Sequence, residues 1–434
     1  MKKIAFMALM MTAFVLPGRV SLSQAVVDAW KISPALRSQQ LEERAAATAG
    51  LTALRQKYFS AAFSGSYRYA SDKVEVKISD FPFPLSPGIP PGTAVLSAPS
   101  DNFDLKLSLH QPIFSGGILE NAVKMEAMRE AAERDLTRLK KIELAGRVKN
   151  SFFNHRLFCK KRDALNSLLA ILTLHQHRLE NLIREELVKR SDLLETRAKA
   201  DEIRLSLEDL ELLVRNEALN FSTLCGHEPQ DIDDETGRGD ESFATAREFF
   251  LANHPLLRSL DERVRIVLIQ KKSIAGSYLP QVSAVAEMHY GRPGQNFFAN
   301  RWTPYFAGGV SVSMPVFNWN KGGRDKSLAD IAAGKLDNQR ADFIRESEKL
   351  LRQFFFQRES LAKKLALLDG LVANADEDAG LKEKLYEENQ IDHNDYLAAL
   401  TSRERYLANR EELLAQMELL MVGIRTLIGK CEEE

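Results

Sequence analysis

Eight histidines, three cysteines and a large complement of carboxylates are the residues of this chain that could do chemistry. Metal binding needs at least two of them on one side of an element. His175 and His177 are two apart in a helical pattern, so their side chains leave on nearly opposite faces and cannot chelate one ion together. The other histidines stand isolated along the sequence. Cys159, Cys225 and Cys431 are too few and too scattered for a disulfide framework or a zinc site. Cys159 and Cys225 fall in helical stretches, where a buried free thiol is expected. No nucleophile motif, P-loop or dinucleotide fingerprint appears, and Gly116-Gly117 and Gly322-Gly323 read as turn glycines. Phe152-Phe153 and Phe354-Phe355-Phe356 read as packing between helices, and Asp231-Ile-Asp-Asp-Glu235 as a solvated loop. These patterns predict no catalytic site, no metal and no cofactor, and so no enzyme. Asp192 and Asp395 remain: each follows directly on a break in a long helical pattern, where a carboxylate either caps the next helix or presents its charge.

The chain has 434 residues, enough for two or three domains, and a formal net charge of −1, which gives no electrostatic argument for nucleic acid. After the first twenty residues or so, no apolar run has the length of a membrane helix. The first residues read differently. Met1-Lys2-Lys3 is basic, Ile4 to Leu16 is apolar, and Pro17-Gly18 follows, which is the pattern of a secretory signal peptide over 1–18. An exported protein is expected. No cysteine lies near the cleavage point, so attachment of lipid at a new N-terminal cysteine is not expected.

The carboxylates have to be held by something, and the sequence is explicit about what. Ser21-Leu-Ser-Gln24 reads as a capping box, with Gln24 reaching back, and opens a helix towards Tyr58 that is interrupted near Pro34. Phe63 to Tyr69 alternates as a strand, and Asp80 to Ser100, with six prolines, reads as a loop. Phe103, Leu105, Leu107 and Leu109 then alternate with Asp104, Lys106, Ser108 and His110 in a second strand. Pro112 should end that strand's ladder and Gly116-Gly117 should turn the chain. From Ile118 to about Glu186 the pattern is helical, with apolar residues at Ile118, Ala122, Met125, Ala132, Leu136, Leu139, Ile142, Ala145 and Val148, a spacing near the 3.5 of a coiled-coil seam. Nearly seventy residues give a rod of roughly 100 Å. Leu187 to Asp192 breaks it, and the next helix ends at Gly226.

The second half repeats the first. Pro315-Val-Phe317 echoes Pro112-Ile-Phe114, Asp395-Tyr-Leu397 echoes Asp192-Leu-Leu194, and Leu427-Ile-Gly429 echoes Leu224-Cys-Gly226, all at an offset of 203. His254-Pro echoes Ser33-Pro at 221, and the difference falls in the longer hairpin tip of the first half. The expected organisation is a signal peptide over 1–18, a first structural repeat over 19–225, a linker over 226–242 rich in acids, and a second repeat over 243–430. Each repeat supplies two strands, at about 61–70, 103–113, 281–290 and 305–316, and helices over 244–279, 324–388 and 395–428 complete the second half. Strands of nine to eleven residues match a membrane crossed by tilted strands. Their apolar faces would meet lipid and their polar faces water. Four strands cannot close a barrel and lipid forbids an open edge, so several chains would have to close it together, and three would supply twelve strands.

On these residues the chain resembles the TolC-like outer-membrane efflux proteins. The resemblance covers nearly the whole mature chain. It rests on the internal repeat, on Gln111-Pro-Ile-Phe-Ser-Gly-Gly117 with its echo at Met314–Gly323, and on the coil tips Leu187–Leu194 and Tyr386–Ala399. It implies a mainly α fold with a β-barrel portion: a long coiled-coil helical tunnel plus four membrane strands per chain. It implies a homotrimer in outer-membrane lipid, reaching into the periplasm of a Gram-negative-type cell, and partnered by a periplasmic adaptor (membrane fusion protein) and an inner-membrane pump. Site residues follow from the resemblance too: a periplasmic constriction at Asp395 and Asp192; coil-tip contacts to adaptor or pump at Leu187, Val188, Ser191, Asn389, Ile391 and Asn394; and strand-to-helix turns at Pro112, Gly116, Gly117, Pro315, Gly322 and Gly323. The chain departs from the family at Glu186, where a glycine often stands, and at Ala398, where a second acid of the constriction does. Two functions stay open. One is a passive exit duct of a tripartite efflux or type I secretion system. The other is a periplasmic coiled-coil scaffold or adaptor with no membrane barrel.

Overall fold

A computed structural model describes residues 20–81, 92–185, 188–233, 241–388 and 390–430. The signal peptide expected over 1–18, Leu187, Asn389 and Cys431 lie outside the described residues. Most of the described chain is helical, with some sheet, and it folds as two compact units. One unit takes the chain up to Leu41, Arg134–Ser259 and Arg340 onwards; the other takes Glu42–Glu133 and Leu260–Gln339.

The first unit begins with a two-residue strand β1 (Val20–Ser21) and α1 (Leu22–Ile32). Ser21 caps α1 as its spacing suggests, its hydroxyl accepting the Gln24 N–H at 3.1 Å. Gln24 does not reach back; its amide donates to Asp28 Oδ1 at 3.1 Å instead, completing only half of the expected box. Ser33 then adopts an extended conformation, because the residue before a proline is pushed out of the helical region, and Pro34 opens α2 (Pro34–Arg55). The second half does the same. His254 is extended before Pro255, so the single helix expected over 244–279 is two.

In chain order, the remaining elements are β2 (Ser60–Tyr69), β3 (Glu75–Phe81), β4 (Gly92–Ser97), β5 (Asp101–Phe114), α3 (Ile118–Arg184), α4 (Arg190–Cys225), β6 (Ile232–Asp233), α5 (Phe243–Asn253), α6 (Pro255–Gly276), β7 (Gln281–Arg292), β8 (Thr303–Ser313), α7 (Lys321–Glu387) and α8 (His393–Ile428). Helices α3 and α7 are both 67 residues long, and α4 and α8 are both 36. Both shorter helices stop at a left-handed glycine, Gly226 and Gly429.

Three apolar clusters hold the first unit. Ala25, Val26 and Ala29 of α1 meet Val148, Phe152 and Phe153 of α3 and Phe221 of α4, and Phe153 and Phe221 are almost wholly buried. Phe250 of α5 and Leu257 of α6 meet Leu351 of α7 and Ile424 and Ile428 of α8. Leu168 and Leu172 of α3 meet Ala200, Ile203 and Leu207 of α4 and Leu397 of α8. Of the expected seam on α3, Ala132, Ile142, Ala145 and Val148 are buried and the others half-buried. β6, within the region expected as a linker, lies parallel to β1, with Ile232 opposite Val20 and Asp233 opposite Ser21.

The second unit carries a four-stranded antiparallel sheet in the order β2-β5-β7-β8. Its four strands lie within about three residues of the expected positions. Two details differ. Pro112 does not end β5; it pairs with Ser283, and the ladder slips between Pro112 and Phe114, a bulge that absorbs the missing donor. The stretch 80–100 is not all loop, since β3 and β4 pair as an antiparallel hairpin. Its prolines at 82–91, outside the described residues, hid the short alternating runs on either side. No helix among the described residues is long and apolar enough to cross a membrane.

Candidate functional site

Antiparallel partners share a face, so the register of the sheet sorts its side chains without ambiguity. One face carries Phe63, Leu107, Met288 and Phe306 in one row, and Ala61, Leu109, Ala286 and Gly308 in the next, followed by Ala284 with Val310 and Val282 with Val312. Most of these residues are exposed although apolar, with Phe63 71% accessible, Leu107 44% and Phe306 72%, while Val282, Ala284 and Ala286 are half-buried. The other face carries Ser64, Lys106, His289 and Tyr305 in one row and Ser108 and Glu287 in the next, with Ser283 and Ser311 further along. Several of its charges are paired. Lys106 donates to Glu287 at 3.2 Å, His289 Nδ1 lies 3.0 Å from Asp104, and the His289 ring stacks on Tyr305.

Aromatic side chains collect at both ends of the apolar face. At the loop end Tyr67 meets Phe103, Phe103 meets Trp302, and Trp302 stacks on Tyr290. At the helix end Tyr58, Phe59, Phe114, Phe317 and Trp319 are all exposed. β2 and β8 each pair on one side only, so among the described residues the sheet is open at both edges and does not close into a barrel.

The strand-to-helix turns use two different devices. In the first, Gly116 and Gly117 take positive φ, and a Cβ on Gly116 would overlap the carbonyl of Gly276 at the end of α6. In the second, Pro315 lies in the irregular stretch after β8, and the left-handed residues are Trp319 and Asn320, with φ of 52° and 53°. Gly322 and Gly323 are therefore not turn glycines: both lie in the first turn of α7. Glycine is needed there for space, because a Cβ would overlap the Tyr278 ring from Gly322 and the Asn320 side chain from Gly323.

In the first unit, the starts of α4 and α8 hold the two acids. Neither of them is an N-cap. α4 begins after Lys189, which offers no side-chain cap; Asp192 sits in the first turn, half-buried, and accepts from the Ser191 hydroxyl at 3.0 Å. α8 is capped by Asp392, whose carboxylate accepts the Asp395 N–H at 2.9 Å. Asp395 is exposed in the first turn of α8. Val188 and Ile391 are half-buried, Ser191 and Asn394 exposed. Val188, Asp192, Ile391 and Asn394 line one cleft together with Arg178, Tyr386 and Asp392.

Sequence reasoning missed the histidines beside this cleft. His175 of α3 and His393 of α8 are 218 residues apart, yet His175 Nε2 lies 2.8 Å from His393 Nδ1, with the rings nearly parallel. They are not isolated, and only the fold could bring them together. Thr196 Oγ1 lies 2.8 Å from His393 Nε2, and all three side chains are buried. Burial pushes His175 down to about 4 and holds His393 below its ordinary value, so both rings are neutral at pH 7. Among the described residues, no group of three or more His, Cys, Asp or Glu is placed to hold a metal ion.

Solved structures share this arrangement over most of their length. The chain has the fold of the TolC-family outer-membrane channels. CusC, known from crystal structures of its folding and transmembrane channel formation, superposes with a TM-score of 0.76 at 13% identity, covering 95% of this chain and 92% of its own. The outer-membrane protein VceC of Vibrio cholerae gives 0.74 at 14% identity over 94% and 96%. The open state of the MtrE outer-membrane channel of Neisseria gonorrhoeae gives 0.73 at 13% over 94% and 89%. CusC and MtrE are described as channels, and VceC as an outer-membrane protein. No family model matches the chain, and no curated relative does.

Proposed function

We propose that this protein is an outer-membrane exit duct, passive in itself, serving a tripartite efflux or type I secretion machine. Three chains would close a twelve-stranded barrel, reaching into the periplasm of a Gram-negative-type cell, and a periplasmic adaptor and an inner-membrane pump would meet the helix tips. The observation that carries this reading is the two-faced sheet with both edges free. A sheet with an exposed apolar face has to bury it, and lipid does so only if every edge strand finds a partner. The aromatic bands supply the scale. Phe103 and Phe114 of β5 lie eleven residues apart, roughly 36 Å along a strand at 3.3 Å per residue. At the ~40° tilt of barrel strands that projects to about 28 Å, close to the ~25 Å apolar band flanked by aromatic girdles in outer-membrane barrels. A scaffold or adaptor that never meets lipid leaves both the apolar face and its girdles without a purpose.

In this reading the exposed Asp395, repeated by threefold symmetry, forms a ring of three carboxylates at the tips, with Asp192 beside it. Such a ring attracts cations and repels anions. Purified protein in planar bilayers should conduct with a cation preference, and Asp395→Asn should lower that preference while leaving thermal stability nearly unchanged, because Asp392 rather than Asp395 caps the helix. Absence of any channel from a folded, β-rich preparation would refute the duct. Unaltered selectivity in Asp395→Asn would move the constriction elsewhere.

A further inference from the structure

The hydrogen bonds around His393 run in one direction. The Thr196 hydroxyl donates to the Asp192 carbonyl at 2.9 Å, so towards His393 Nε2, 2.8 Å away, its oxygen accepts. His393 therefore carries its proton on Nε2 and its bare Nδ1 accepts from His175 Nε2–H. Donation runs from His175 to His393 to Thr196 to the backbone carbonyl of Asp192, and each acceptor fixes the proton position of the group that donates to it. The chain ties α3, α8 and α4 together within the first turn of α8, and Tyr386 of α7 packs on both imidazoles and stacks on Tyr396. It has no place for a second proton on His393 Nδ1, because an N–H there would face the N–H of His175.

We propose that this buried chain is an acid-sensitive latch, which holds the first turn of α8 against α3 and α4 and releases it on taking up protons. The inference rests on the duct reading for its consequence: release frees the segment that carries Asp392 and Asp395, and the tips loosen when the surroundings turn acid. Outside the chain itself, the charged and titratable groups around it come from all four helices. α3 brings Arg178, 3.5 Å from Glu387 of α7. α4 brings Asp192 and Glu195, and α8 brings Asp392, and these carboxylates favour a charged His393. Asp376 and Glu383 of α7 and Arg403 of α8 line the cleft at His175, with Arg403 bonded to Asp376. Tyr386 and Tyr396 are held above the ordinary tyrosine value by burial and stay neutral throughout. For His393 burial outweighs these carboxylates, and for His175 burial, His393 and Arg178 all act in the same direction, so the closed latch prefers neutral rings.

The test is hydrogen exchange of the full-length protein in detergent, read by mass spectrometry and corrected for the intrinsic pH dependence of exchange. A second proton on His175 goes to Nδ1, which leaves its bond to His393 in place but puts a charge in a buried site; that cost holds His175 near 4 in the closed state, and exposure in the open state returns it to about 6.5. Opening of the tips should therefore rise roughly 30-fold between pH 7.5 and pH 5 from this group alone, with half-loss setting in below pH 6.5. The segments to follow are 172–184, 190–200 and 390–400; the stretch around Phe153 serves as an internal control and should not change. In the double variant His175→Gln/His393→Asn the glutamine amide can still donate and the asparagine carbonyl can still accept, and the tips should lose their pH dependence. A wild-type profile that matches the double variant's overturns the latch. Should the variant not fold, wild type alone decides: protection lost equally at the tips and around Phe153 overturns it too. Conductance recorded in parallel separates the two readings. Acid-opened tips without a channel refute the duct and support the latch, whereas a channel with pH-independent tips supports the duct and refutes the latch.

Discussion

Leu107 and Ser108 are adjacent on one strand and point to opposite faces of the sheet. The same substitution at both, Leu107→Arg and Ser108→Arg, cancels differences in bulk and strand propensity and isolates what each face meets. Leu107 lies four residues from the Phe103 band, about 13 Å along the strand and ~10 Å in projection, near the middle of a ~25 Å apolar layer. An arginine there should cost about 2–4 kcal/mol per chain. Ser108→Arg loses one hydrogen bond, from the hydroxyl to the Ala62 carbonyl at 3.3 Å, worth about 1 kcal/mol at most on an exposed strand. Its arginine enters a face that already carries Lys106 and Glu287. The difference between the two variants should therefore be about 1–4 kcal/mol, with Leu107→Arg the weaker. Folding both into phospholipid vesicles and titrating with urea measures it directly. Equal midpoints, or a Ser108 variant weaker than the Leu107 one, would refute the assignment of the apolar face to lipid.

Gly116→Ala should cost at least about 1–3 kcal/mol, because φ is +62° and the added methyl overlaps the Gly276 carbonyl. Gly117→Ala meets only Asn121 Nδ2 at 3.9 Å and should cost less, and thermal melts showing equal losses would rule out the close approach to α6. His254 is buried against Phe250 and Phe343 and held at about 4 by that burial, while its Nδ1 accepts the Leu256 N–H at 3.2 Å. A histidine whose folded value is depressed gives its full stability above about pH 6.5 and loses it as pH falls towards 4, here about 2–3 kcal/mol by pH 4.5. His254→Asn keeps an acceptor at the start of α6, so its urea midpoint should fall less than that of wild type between pH 7.5 and 4.5; parallel declines would contradict the buried neutral ring.

The long elements were legible because their signals are local. Alternation from Phe103 to His110 needs no knowledge of a partner, and neither does the recurrence of apolar residues along α3. What was not legible is what depends on encounter. Nothing near His175 in the sequence announces His393, and without that pair the histidines look idle. The sequence left the caps open for a related reason: the repeat aligns Asp192 with Asp395, but helix entry is decided a turn earlier, at Lys189 and Asp392, and only one of those two can cap. Gly322-Gly323 looked like Gly116-Gly117, yet one pair bends the chain and the other makes room for Tyr278. A dipeptide does not say which. Prolines also misled in both directions, since Pro112 is accommodated within a strand, while Pro255 divides a helix that periodicity alone would have run through.

The free edges of the sheet belong to opposite halves of the chain, β2 to the first and β8 to the second. In the proposed ring each protomer therefore offers one kind of edge and receives the other, and the circuit has no spare contact. A single protomer with a damaged β8 edge, by a proline at an inward-pairing position for instance, spoils every assembly it enters. In a cell that makes intact and damaged chains equally, only about one trimer in eight would be built wholly from intact ones. Mutations on these two strands should accordingly behave as dominant alleles, whereas mutations confined to a helix core, which remove the chain before it can assemble, should behave as recessive ones.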